Sequence, residues 1–133
     1  MSRKSKGINA ERDLIHKFWK KGWAAIRAAG SGSMKYPCPD VIASNGKERI
    51  ALECKTSKEK HKYLTKKEVR ELLEFSIGFD AKPYIAIRFN NTPWCFIRLG
   101  DLRETDESYM VNEEVLQKYS IGFDELINKN SDG

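Results

Sequence analysis

Two short strings carry the groups best able to do chemistry: Pro39-Asp40 and, further along, Glu53-Cys54-Lys55. Paired carboxylates on adjacent strands can hold a divalent cation through oxygen ligands. A cation held there neutralises a phosphodiester and lowers the pKa of its bound water, which is the chemistry of metal-assisted hydrolysis. On this reading Asp40 and Glu53 bind Mg²⁺, and Lys55 positions the water or stabilises the charge of the transition state. The competing reading of Glu53 with Lys55 is a cross-strand ion pattern on a solvated surface. Asp80-Ala81-Lys82 repeats the acid-x-lysine string, but it falls at a helix-to-strand turn instead of inside a strand. Context separates the two.

For these acids to meet, two strands must carry them side by side. Val-Ile-Ala-Ser at 41 to 44 and Glu-Arg-Ile-Ala-Leu-Glu-Cys-Lys at 48 to 55 flank Asn45-Gly46, a strong hairpin signal because both residues tolerate positive φ. A two-residue turn pairs Ser44 with Lys47, sets Asp40 opposite Ala51 and makes Glu53 its diagonal neighbour on the same face. Diagonal neighbours stand roughly 7 to 8 Å apart, so both carboxylates can reach one cation. Lys55 shares that face. Val41, Ala43, Ile50, Leu52 and Cys54 then form the apolar face.

A third acid, Glu11, lies in an unusual place. Asn9 is a good N-cap and Gly22 a good stop, and Leu14, Ile15, Phe18 and Trp19 fall on one face between them, so the spacing predicts a helix over 10 to 21. Glu11 sits within that apolar stripe and is expected to point inward. A glutamate in the first turn also favours the helix dipole by about 0.3 to 1 kcal/mol, which accounts for its position but not its facing. Unpaired buried acids are rare, so the facing favours a functional or supporting role.

The remaining pattern is helix, three strands, helix, two strands. Trp23 to Ala29 reads as a strand, and 30 to 39 as a flexible loop. Thr65 and Glu68 make a capping box with Leu64 and Val69 at the staple positions, opening a helix over 66 to 79. On it Val69, Leu72, Leu73, Ser76 and Ile77 form one stripe, with Phe75 and Phe79 on its flank. Tyr84 to Phe89 is a buried-strand run that pairs with Trp94 to Leu99 through Asn-Asn-Thr-Pro. Beyond Gly100 the pattern weakens to short helices, about 112 to 119 and 120 to 128.

A length of 133 residues, 40% hydrophobic and 32% charged, suits one globular domain and excludes a disordered or collagen-like chain. No apolar run is long enough for a membrane span, and no apolar stretch follows the basic N-terminus, so a cytosolic location is expected. Three cysteines without a C-x-x-C pair, and two histidines at no ligand-like spacing, argue against a zinc site or a disulfide framework. Charge is uneven: +7 over residues 1 to 36, +4 over 37 to 100 and minus six over 101 to 133. An acidic tail masks a basic body, which points to a polyanionic partner, or more blandly to a solvated surface. Lys58, Lys60 and Lys62, following the candidate strand, are placed for phosphates or lie in a solvated loop.

Six motifs in order are far more specific than the acid-x-lysine string. They are K-G-x-x-x-E-R at 6 to 12, I-R-A-x-G-S-G-S at 26 to 33, P-D at 39 and 40, E-C-K at 53 to 55, L-L-E-F-S-x-x-F at 72 to 79 and P-Y-I-A-I-R-F at 83 to 89. Together they resemble the archaeal Holliday junction resolvases of the PD-(D/E)XK nuclease superfamily, over about residues 6 to 99. The resemblance implies an α/β, restriction-endonuclease-like fold with a mixed central sheet flanked by helices. It implies a homodimeric, Mg²⁺-dependent endonuclease, with Mn²⁺ as a substitute, that nicks two opposing strands of four-way junction DNA and leaves 5′-phosphate and 3′-hydroxyl ends. Glu11, Asp40, Glu53 and Lys55 match the family's catalytic positions, the three acids being its metal ligands. Arg12 and Arg27 match basic residues used in DNA handling or catalysis. Gly30, Ser31, Gly32 and Ser33 match a mobile loop near the active site, and Phe75 and Phe79 an aromatic pair in the dimer contact.

The expectation is one nuclease domain over 1 to 133, with a core over about 6 to 100 and an acidic extension over 101 to 133, acting in the cytoplasm on nucleoid DNA. Nothing resembles a base-reading helix, so recognition by shape and backbone is expected. Two alternatives remain: another nuclease of the superfamily acting on duplex or mismatched DNA, and a DNA-binding module without catalysis.

Overall fold

The fold grows from the hairpin that the Asn-Gly signal marks. In the computed structural model, which describes residues 3–28 and 35–131, strand β2 (Val41–Ser44) runs antiparallel to β3 (Arg49–Ser57). Their turn has four residues, not the predicted two: Ser44 pairs with Arg49, and the Asn45 amide nitrogen donates to the Glu48 carbonyl at 3.1 Å. The Asn45 side chain drives the difference. Its Oδ1 accepts the amides of Lys47 at 2.9 Å and Glu48 at 2.7 Å, an Asx turn, while Gly46 takes φ +93°. The register therefore slips by two from the prediction, and an even slip leaves every side chain on its predicted face.

Strand β1 (Ala24–Arg27) joins the other edge of β2, and β5 (Lys82–Phe89) lies parallel to β3 and antiparallel to β6 (Cys95–Arg98). A mixed five-stranded sheet results, in the order β1-β2-β3-β5-β6. The parallel step needs a crossover, which helix α2 (Lys66–Phe79) supplies with the predicted bounds and capping box. Helix α1 (Arg3–Lys20) starts earlier than predicted, so Asn9 lies inside it and does not cap it. Nothing in that first stretch stops a helix: it has no proline, and the single Gly7 costs only ~1 kcal/mol. Gly22 ends it as predicted, at φ +82°.

Both faces of the sheet are covered. Ala10, Leu14 and Phe18 of α1 pack on Val41, Ala43, Ile50, Leu52, Ala86 and Phe96, joined by Leu126 and Ile127 of α4 (Phe123–Lys129). Leu14, Phe18 and Leu52 are fully buried, worth about 1.5 to 3 kcal/mol each. On the other face Val69 and Leu72 of α2 pack with Ala51, Ile85, Ile87 and Ile97. Leu73 and Ile77 do not face the core as predicted: they are exposed, on the flank opposite Phe75 and Phe79. The apolar stripe is wider than the strip of sheet that one helix covers.

A second sheet was not foreseen. β4 (His61–Thr65), expected as loop, pairs with β8 (Ser108–Asn112), which pairs with β7 (Arg103–Glu104). Its buried residues Leu64 and Val111 join the α2-side core, as does Val115 of α3 (Glu113–Tyr119). The acidic segment after Gly100 thus contributes to both cores. Among the described residues no helix is long and apolar enough to cross a membrane.

Candidate active site

Asp40 is the pivot of the site, and backbone hydrogen bonds hold it in place. Its carbonyl accepts the Ala28 amide and its own amide donates to the Leu52 carbonyl, both at 2.9 Å. Its Oδ2 accepts the Cys54 amide at 2.8 Å. The Asp40 amide bonds Leu52, already the partner of Val41, so two residues face one here and the regular β2–β3 register ends at Val41. Asp40 sits in the bend just before β2, where acids arriving from both faces of the sheet can reach it.

Glu53 arrives on β3, and a side-chain hydrogen bond links it to Asp40. Burial and then the charge of Asp40 push the Glu53 carboxyl from its ordinary 4.5 up to about 8, against the pull of Lys55. Glu11 arrives on α1, facing inward as predicted, with its side chain 17% exposed. Burial and the Asp40 charge push its carboxyl up to about 7, while Arg27, at the end of β1, opposes this from 3.7 Å. Glu11, Asp40 and Cys54 each offer a ligand atom, all within 4.8 Å of one another. Burial and the surrounding acids drive the Cys54 thiol well above its ordinary range, so it stays protonated at neutral pH.

Lys55, two residues beyond Glu53 on the same face, places its Nζ 3.6 Å from Glu53 Oε2. It also pairs with Glu68 Oε2 in the first turn of α2. Burial lowers the Lys55 pKa, but the hydrogen bond to Glu68 and the charges of Glu68, Glu53 and Asp40 prevail and hold it above its ordinary value.

The four predicted residues Glu11, Asp40, Glu53 and Lys55 thus come together, with Arg27 beside them. The other predicted positions among the described residues lie outside this cluster. Arg12 is exposed, next to Glu11 on α1. Lys58 and Lys60 are exposed on the β3–β4 turn, and Lys62 is half-buried within β4 instead of in a loop. Gly30, Ser31, Gly32 and Ser33 lie outside the described residues. Phe75 and Phe79 stack on α2 with ring centroids 5.1 Å apart, Phe75 partly buried against the core and Phe79 49% exposed. Sequence reasoning missed Glu68, whose capping-box signal was read only as a helix start. It also treated Cys54 as purely apolar, although its amide and thiol both meet the acids. A cavity of about 400 Å³ between β4 and α3, with Lys60, Tyr63 and Glu113 in its lining, involves none of the clustered residues.

A family model described as archaeal Holliday junction resolvase (Hjc) matches residues 2–132. The crossover junction endodeoxyribonuclease Hjc of Archaeoglobus fulgidus is 41% identical over 121 residues, spanning 91% of this chain and 87% of that protein. The enzyme of the same name from Methanocaldococcus jannaschii is 36% identical over 124 residues, spanning 93% and 88%. The 1.6 Å structure of Archaeoglobus fulgidus Hjc, a Holliday junction resolvase from an archaeal hyperthermophile, superposes with a TM-score of 0.85 at 38% identity, covering 90% of this chain and 98% of that one. With the family model spanning nearly its whole length, the chain belongs to the archaeal Holliday junction resolvase family.

Proposed function

We propose that this chain is a single-domain, structure-selective endonuclease that resolves four-way DNA junctions by paired, Mg²⁺-dependent phosphodiester hydrolysis, acting as a homodimer on nucleoid DNA in the cytoplasm. The observation that carries the catalytic reading is the convergence of Glu11, Asp40, Glu53 and Lys55 around one strand end. The donor set fits a hard divalent cation: carboxylate oxygens suit Mg²⁺ or Mn²⁺, whereas the protonated thiol of Cys54 does not. Glu11 and Glu53, raised to about 7 and about 8, are crowded acids that a cation would relieve. When bound, such an ion neutralises the phosphodiester and acidifies a coordinated water.

The chain's own groups supply the rest. Asp40, pinned by three backbone contacts, fixes the centre. Arg27 steers Glu11 toward it. Lys55 presents an ammonium group beside Glu53, where it can stabilise the charge that builds on the phosphate during attack. Arg12, Lys58, Lys60, Lys62 and the segment Gly30 to Ser33 are proposed DNA contacts. The stacked pair Phe75 and Phe79, with Phe79 exposed on α2, supports a twofold contact there, and two sites related by such an axis would cut opposing strands together.

The test is Asp40→Asn assayed on a synthetic four-way junction with each strand labelled. Nicking in Mg²⁺ should vanish while junction binding in EDTA persists. Retained nicking would remove the metal-site reading.

A further inference from the structure

We propose that Glu68 is the positioning residue for Lys55, making the first turn of α2 a working part of the active site. The proposal rests on Lys55 acting in cleavage as described above. Both oxygens of the Glu68 carboxylate are engaged. Oε1 accepts the Thr65 amide at 2.9 Å, and the Glu68 amide donates to Thr65 Oγ1 at 2.9 Å, closing the capping box. Oε2 takes the Lys55 ammonium. One carboxylate therefore caps a helix with one oxygen and anchors a lysine on the neighbouring strand with the other.

The anchoring matters because a lysine is a point charge on a flexible four-carbon stem and must be held to act from a fixed place. Two acids lie close to Nζ: Glu68 in direct contact, and Glu53 at 3.6 Å. They are not equivalent. Glu53 shares a hydrogen bond with Asp40 and is a proposed ligand of the cation, so its charge is committed when that site fills. Glu68 stands apart from Asp40, and its orientation is set by backbone groups of the helix start, independently of metal and DNA. It is the anion left to hold Lys55 in place through the reaction. Its pairing side chains are only 21% and 28% exposed, so water screens the contact weakly.

The experiment compares Glu68→Gln, Glu68→Asp, Thr65→Ala and Lys55→Ala with wild type. Cleavage is followed in single turnover with enzyme in excess over a labelled four-way junction in Mg²⁺, and binding is followed separately in EDTA. Glutamine can still serve the capping box but carries no charge, so Glu68→Gln should slow cleavage roughly 10- to 100-fold with junction affinity unchanged. Glu68→Asp keeps the anion one methylene shorter and should fall between wild type and Glu68→Gln. Thr65→Ala weakens the cap while leaving the Glu68 carboxylate and the Thr65 amide intact. It should lower thermal stability and leave the cleavage rate within about twofold.

Cleavage by both Glu68 variants at the wild-type rate would overturn the proposal. So would equal slowing by Thr65→Ala and Glu68→Gln, since the cap and not the lysine contact would then be responsible. Lys55→Ala separates the two levels of the argument. If it cuts normally, the role of Lys55 itself falls; if it is inactive while Glu68→Gln cuts normally, only the positioning role falls.

Discussion

Crowding of acids around Asp40 should make the metal-free protein lose stability as pH rises, and Glu53→Gln should reverse that loss. In the unfolded chain Glu53 titrates near 4.5; folded, it holds its proton up to about 8. Between those values the folded state binds more protons than the unfolded state, so stability is full below about pH 4.5 and drains away as pH climbs toward 8. At 1.36 kcal/mol per pH unit, Glu53 alone costs roughly 4 kcal/mol by pH 8, most of it between pH 5 and 8, and Glu11, raised to about 7, adds in the same direction. Glutamine has the shape of the protonated acid, can donate to Asp40 as that acid does, and never ionises. In EDTA, Glu53→Gln should match wild type near pH 5. It should exceed wild type by roughly 3 kcal/mol at pH 8, or about 10 °C in melting temperature for a domain of this size. The assay is urea or thermal unfolding across pH 5 to 8.5, with Mg²⁺ added in a parallel series. Added Mg²⁺ should stabilise wild type most at the alkaline end, where binding need not displace protons. A wild-type profile that is flat or rises from pH 5 to 8, with no gain in the variant, would refute the assignment of a crowded carboxylate cluster.

Two further outcomes follow from the surface. Backbone recognition predicts that junction affinity, measured by gel shift or anisotropy, falls steeply with salt; for 6 to 10 phosphate contacts the loss between about 50 and 200 mM is roughly 10³-fold or more, and a flat titration would exclude it. If the proposed dimer forms through α2, Phe75→Ala combined with Phe79→Ala should give monomers in sedimentation with little loss of helicity, because Phe79 is half exposed and Phe75 only partly buried. An unchanged sedimentation mass would remove the proposed dimer contact from this aromatic pair.

What was legible in the sequence was what a few neighbouring residues settle among themselves. The capping box of Thr65 and Glu68 set the start of α2, and the Asn45-Gly46 signal located the hairpin. The facing of Glu53 and Lys55 survived an error in the turn because side chains on a strand alternate with period two and the true register differs by two residues, whereas Asp40 lies in the bend before β2. The inward facing of Glu11 followed from its spacing to Leu14, Ile15 and Phe18, even though the helix begins a full turn or more before the expected cap. Local errors that conserve the period cost the site nothing.

The tertiary structure decided the pairings between distant segments. β4 has weak strand character, with Lys62 and His61 in a charged stretch, and it becomes a strand because β8 offers its backbone hydrogen bonds and Val111 a partner for Leu64. No window around residues 61 to 65 contains that information. The same holds for Lys55: its spacing from Glu53 is written in the chain, but its contact with Glu68 exists only because α2 crosses back over the sheet to lay β5 beside β3. Strand period and helix caps are enforced by sterics and hydrogen bonds over a few residues, so sequence alone settles them. Which carboxylate meets which ammonium depends on closing long loops and burying two faces of one sheet together, and only the packed chain determines that.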